Sequence, residues 1–337
     1  MMQKRRSTAA LAAAFALGAM AIPALRAEAA TQTLGAVASA SEEIVAVAAG
    51  DTGASAVADF QIDGATGDIC VRATFTGLSG PVMMAHIHSG AAAVNGPVLV
   101  TLPVTGAGVN GCVKATPADA AAIVATPGAF YFNAHTAASP GGAVRGQLTS
   151  SMFNATLSGA SEVPGPGATN GTGTAVVALD TAANRACVLF TLDGIEIPAA
   201  AAHIHSGTAT VAGPVILPLP APSKPSSVSC APSTPAVLAA IVAAPSAHYA
   251  NVHTSQLPAG AVRGQLSVRS LADFPVASGA APIPTTTIAP TTTVASTSTT
   301  VAPATTTVAP ATVTTVPAAS APPAPATPVA EEPTFTG

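Results

Sequence analysis

The chain repeats itself once. Cys70 recurs as Cys187, His86 as His203, His88 as His205, and Gly96-Pro97 as Gly213-Pro214, each 117 residues later. Cys112 and Cys230, Asn133 and Asn251, His135 and His253, Arg145 and Arg263, and Gln147 and Gln265 stand 118 apart, so a single-residue length difference lies just before the second cysteine. A period of this size is that of a whole domain and is too long for a solenoid unit. Two tandem homologous domains are expected, over 30–150 and 151–270.

Within each repeat the periodicity is that of strands. Ala56-Val57-Ala58-Asp59-Phe60-Gln61-Ile62 alternates apolar and polar, and Cys70-Val71-Arg72-Ala73-Thr74-Phe75 and Cys187-Val188-Leu189-Phe190-Thr191-Leu192 are short β-prone runs closed by glycine. Val215-Ile216-Leu217-Pro218-Leu219 carries a proline that cannot donate to a ladder, which places this strand at a sheet edge. Asp119 to Val124 and Pro235 to Val242 are expected as one short helix per repeat, the first capped by Thr116 with a proline in its first turn. Aromatics are 3% and charges 8% of the chain, so the cores must be built from small aliphatic side chains. The fold class is all-β: two tandem antiparallel sandwiches of Greek-key type.

The two ends differ from this middle. Lys4, Arg5 and Arg6, the apolar run Ala9–Ile22 and the cleavage-like Ala27-Glu28-Ala29 read as a signal peptide over 1–29. The apolar run, roughly 14 residues, is short for a membrane span, and no transmembrane segment is expected in the mature chain. From 271 to 337 Thr, Pro and Ala dominate; prolines remove donors and small side chains bury little surface, so a disordered stalk is expected. Without the signal, 7 basic residues face 14 acidic ones. That balance argues against a nucleic-acid partner, which needs a basic face to displace counterions.

Export to an oxidising compartment makes the cysteines disulfide candidates. Four cysteines permit three connectivities, and the duplication favours Cys70–Cys112 and Cys187–Cys230. Closing such a loop stabilises a domain by roughly 3–4 kcal/mol.

Six of the seven histidines lie at repeated positions: His86, His88 and His135, and His203, His205 and His253. Residues i and i+2 of a strand share a face, so each His-x-His pair projects side by side, with the third histidine arriving from a later segment. Three converging imidazoles would suit Cu or Zn with an open position. Equally, they can belong to a buried structural network with Asn133, Arg145 and Gln147, or Asn251, Arg263 and Gln265. Glu42 and Glu162, each after a serine, are the only matched carboxylates near a motif, with solvent or a loop hydrogen bond as their expected fate. No catalytic residue is assigned: neither Asp68 nor Asp119 is repeated, and no phosphate loop or triad pattern is present.

Ser161-Glu162-Val163-Pro164, Ala202-His203-Ile204-His205-Ser206-Gly207, Gly213-Pro214-Val215, Tyr249-Ala250-Asn251-Val252-His253-Thr254 and Val262-Arg263-Gly264-Gln265-Leu266, in that order, resemble the chordin-type CHRD domain family. The first copy departs from it at Glu42-Glu43-Ile44, where the family has Glu-Val-Pro, and at Phe132-Asn133-Ala134. Both copies have alanine, Ala143 or Ala261, where the family often has glutamate. The resemblance implies an extracellular β-sandwich used for binding or scaffolding. A fainter similarity, in His-x-His and a later His-Thr, is to copper/zinc superoxide dismutases, whose bridging histidine and zinc aspartate have no counterpart here. The expected function is a secreted or cell-surface, non-catalytic binding or structural protein, its partner an extracellular protein or cell-envelope ligand. The alternative is a Cu- or Zn-binding protein with redox activity.

Overall fold

The β-prone runs of the first repeat become nine strands and one helix: β1 (Gln32–Ser39), β2 (Ser55–Ile62), β3 (Asp68–Thr76), β4 (Val82–Ser89), β5 (Val98–Thr101), β6 (Val104–Thr105), β7 (Gly108–Lys114), α1 (Pro117–Ala125), β8 (Phe130–Thr136) and β9 (Val144–Gln147). The second repeat supplies β10 (Met152–Ser158), β11 (Thr172–Asp180), β12 (Arg185–Asp193), β13 (Ala201–Ser206), β14 (Val215–Leu219), β15 (Ser226–Pro232), α2 (Pro235–Ala243), β16 (His248–His253), β17 (Val262–Gln265) and β18 (Ser267–Val268). The computed structural model describes residues 31–106 and 108–269. The signal peptide expected at 1–29 and the stalk expected at 271–337 lie outside the described residues.

Each repeat forms one antiparallel ladder. The first runs β5-β4-β8-β9-β1-β2-β3-β7-β6, and the second β14-β13-β16-β17-β10-β11-β12-β15, with β18 added on β10. Three consecutive strands beside a late one that returns to the first (β9-β1-β2-β3) is Greek-key order. The proline strand β14 ends its ladder, as its missing donor requires. The ladders fold over on themselves. Strands β8 and β3 stand four places apart, about 19 Å in a flat sheet, yet the Phe132 and Phe75 rings are 6.3 Å apart. Phe60 on β2 meets Phe132 edge-on at 6.1 Å. Around these rings close Ala36, Val71, Ile87, Ile123 and Leu148, all buried. Full burial of each Phe or Ile contributes about 1.5–3 kcal/mol. Phe190, Leu179, Ile204 and Ile241 do the same in the second sheet.

The first helix begins at its expected cap, where the Thr116 hydroxyl accepts the Asp119 N–H, and the second begins in the same way at Thr234, whose hydroxyl accepts the Val237 N–H. Cys70–Cys112 joins β3 to β7 and Cys187–Cys230 joins β12 to β15, at directly paired ladder positions.

The alternation in β2 predicts one wet face, but seven of its eight residues are buried. Ala56, Ala58 and Phe60 face their own core, while Val57 joins Val37 against Met152, Ala178, Cys187 and Leu189 of the second repeat. Charges close the same junction. Arg269 binds Asp59 through Nε at 2.6 Å and Nη2 at 2.7 Å, and Arg185 binds Glu42. None of these charges is repeated. By ladder register, Asp59 corresponds to Val176 and Arg185 to Asp68. In the same way Val37 and Val57 correspond to exposed Thr156 and Thr174.

Candidate functional site

The side chains that point away from the core on β4, β8 and β9 form the repeated polar face. Ladder register places His86, Asn133 and Arg145 in one cross-strand row, His88, Tyr131 and Gln147 in the next, and Met84 opposite His135. The second copy reproduces it with His203, Asn251 and Arg263, then His205, Tyr249 and Gln265, with Ala201 opposite His253. Paired residues share a face because the side-chain period is two.

The histidines do converge. His86 Nδ1 lies 3.1 Å from His135 Nε2, and the His86 and His88 rings are 5.4 Å apart. In the second copy the corresponding values are 3.1 Å and 5.4 Å. One ligating nitrogen from each of the three histidines falls within 4.8 Å of the other two in both copies. Backbone carbonyls set the tautomers. His88 Nδ1 meets Gly96 O at 3.0 Å and His135 Nδ1 meets Pro140 O at 3.0 Å. A carbonyl only accepts, so both Nδ1 atoms carry the proton and both Nε2 atoms present lone pairs. The same holds for His205 against Gly213 O and His253 against Pro258 O. Nε2 of His88 and of His205 is buried without a hydrogen-bond partner among the described residues. Such an atom costs about 1–3 kcal/mol. Burial, with repulsion from His135 and His88, lowers the His86 pKa to about 4. Burial also lowers the pKa of the other five. Near neutral pH these imidazoles are neutral. The seventh histidine, His248, sits apart and directs Nδ1 to Ala244 O.

Arg145 and Gln147 serve the loop that crosses this face, not the histidines directly, and Tyr131 touches both. Arg145 donates to Ala91 O, Val94 O and Asn95 Oδ1. Gln147 donates to Gly90 O, Gly128 O and Phe130 O. The guanidinium lies 3.4 Å over the Tyr131 ring, which stacks on His88 at 4.8 Å. Arg263, Gln265 and Tyr249 repeat this with Thr208, Val211, Gly207 and His205. The loop presents Val94 to solvent and the start of β5 presents Val98; the second copy presents Val211 and Val215 at the same offset.

Asn133 turns instead to a carboxylate that the expected pairing missed. It donates to Glu43 Oε1 at 2.9 Å, and Asn251 donates to Glu162 Oε2 at 3.3 Å. The counterpart of Glu162 is thus Glu43, not Glu42, because the first strands of the two repeats are offset by 119 in register, not 117. Nor is solvent the fate of these acids. Burial raises both to about 7, against Arg145 and Asn133 in one copy and Asn251 and Arg263 in the other. Gly142 and Gly260, at φ +137° and +144°, pass so close to these carboxylates that a Cβ there would collide with them.

The family model described as the CHRD domain matches residues 34–148 and 153–266. A comparison with curated proteins gives no match.

Proposed function

The chain belongs to the CHRD domain family, in two tandem copies, and on that premise we propose that it is exported and acts outside the cytoplasm as a non-catalytic binding protein with two like modules, 30–150 and 151–270. The observation that carries this reading is the repeated pair of exposed valines, Val94 with Val98 and Val211 with Val215, the first of each on a loop anchored by Arg145 or Arg263 and the second at the start of the strand that follows. Exposed apolar side chains held at matching positions by anchored loops and the strands beside them are what a partner surface would use. Two such loops on one body would bind a repetitive extracellular protein or cell-envelope ligand with avidity. The disulfides suit an oxidising compartment.

Fractionation of producing cells combined with an envelope-binding assay tests this. The reading expects oxidised chain outside the cytoplasm that sediments with isolated cell envelopes. Val94→Asp and Val211→Asp would each weaken sedimentation, and together weaken it by more than the product of the two effects. Reduced chain confined to the cytoplasm, or sedimentation indifferent to both changes, would overturn it.

A further inference from the structure

We propose that each histidine cluster binds one late first-row divalent cation, Zn2+ or Cu2+. The ligands are His86 Nδ1, His88 Nε2 and His135 Nε2 in the first copy, and His203 Nδ1, His205 Nε2 and His253 Nε2 in the second. This goes beyond the binding reading and uses different atoms from the valine loops.

Three observations converge. Ligating nitrogens about 2.0–2.1 Å from a tetrahedral ion are about 3.3 Å apart, and the His86–His135 and His203–His253 pairs already stand at 3.1 Å. Two of the three rings in each copy have Nδ1 locked on a backbone carbonyl, the outer-shell bond that orients a histidine and frees Nε2 for a metal. Finally, His205 is 8% exposed and its Nε2 has no partner among the described residues, as is true of His88 Nε2. A lone pair held inward, beside two other ring nitrogens, is matched by a cation.

Binding rearranges one proton per site. In the free cluster the His86 Nδ1–H donates to His135 Nε2. On metal binding that hydrogen bond breaks, the His86 proton moves to its own Nε2, and Nδ1 becomes a ligand; no proton is released. The three ring nitrogens, already within 4.8 Å of one another, draw in to ligand spacing while His88 Nδ1 keeps its bond to Gly96 O. An oxygen or nitrogen ligand from solvent completes the fourth position. The third cluster of metal-ligating types, Glu42 with Cys187 and Cys230, is not a site, since both thiols are consumed in a disulfide.

The test uses untagged, chelator-stripped chain titrated with Zn2+ and, separately, Cu2+, with metal content measured after dialysis. Two ions per chain are expected. His86→Gln with His135→Gln, or His203→Gln with His253→Gln, should reduce this to one, and all four changes together to none. His248→Gln should leave two. The Cu2+-loaded chain should show electron-paramagnetic coupling to three nitrogens, a readout that needs no variant. A folded chain that binds neither metal, or that keeps two ions in the fourfold variant, overturns the proposal. So does a copper spectrum coupled to fewer than three nitrogens.

Discussion

Arg269 grips Asp59 with two parallel hydrogen bonds, 2.6 Å and 2.7 Å long, across 210 residues of sequence. The carboxylate is 4% exposed and lies on the first sheet, while the guanidinium follows the last strand of the second. Removing one partner of a shielded pair leaves the other charge uncompensated. Arg269→Ala is therefore expected to destabilise the chain by about 3 kcal/mol, and Arg269→Met with Asp59→Leu by much less. Urea unfolding of the single and double variants would measure both.

The pH profile of stability should have two arms of opposite sign. Glu43 and Glu162, raised by burial from the ordinary 4.5 to about 7, hold protons in the folded chain that the unfolded chain releases. Their contribution is complete below about pH 4.5 and is lost as pH rises through about 7. The histidines work the other way. With His86 lowered from 6.5 to about 4, its contribution is complete above about 6.5 and is lost as pH falls toward 4. Glu43→Gln with Glu162→Gln should remove the alkaline arm only, raising Tm at pH 8 relative to the wild type while leaving the acid arm. A parallel loss of Tm at all pH values would contradict this.

Arg145→Lys should release the loop over the histidine face. Lysine keeps the charge but cannot both stack flat on Tyr131 and donate in a fork to Ala91, Val94 and Asn95. We expect about 2 kcal/mol of destabilisation and faster amide exchange confined to residues 89–97. Arg263→Lys should do the same for 206–213, and exchange followed by mass spectrometry separates the two loops.

The two disulfides should not be equivalent. Each closes a loop of similar length, 42 and 43 residues, worth about 3–4 kcal/mol by chain entropy. Cys187 also packs between the two sheets against Val37 and Val57. Replacing Cys187 and Cys230 by alanine should therefore cost more than replacing Cys70 and Cys112, by about 1 kcal/mol of lost packing. Equal losses in denaturant titrations would count against that packing role.

Much of this architecture could be read before the structure. Strand pairing at period two made the His-x-His pairs share a face, and the duplication of one cysteine pair per repeat favoured Cys70 with Cys112. Loop lengths were the obstacle. The first strand is offset by 119 and the next by 117, so Glu43 could not be matched to Glu162 by counting along the chain. Nor does any local pattern reveal that Val57 faces a second sheet, because it shares its side of the strand with Asp59 and Gln61, which read as a solvated face. Asp51 is a further case: fully buried, it accepts from the Thr136 and Ser139 hydroxyls and the Ser79 N–H. Nothing around it in sequence announces a hub for three loops.

The junction between the sheets also limits assembly. The two repeats meet through the outer faces of corresponding strands, β1 and β2 in one and β10, β11 and β12 in the other, the arrangement of an isologous contact, which closes after two units. The two faces have diverged to fit each other: Val37 and Val57 answer Met152, Ala178 and Leu189. On the same two faces the places that correspond to these carry Thr156 and Thr174 in one copy and Thr33, Gln61 and Arg72 in the other. The two faces are turned toward each other inside one molecule, with the apolar residues of each set against the other. Gene duplication has thus produced a finished pair, not the start of a filament.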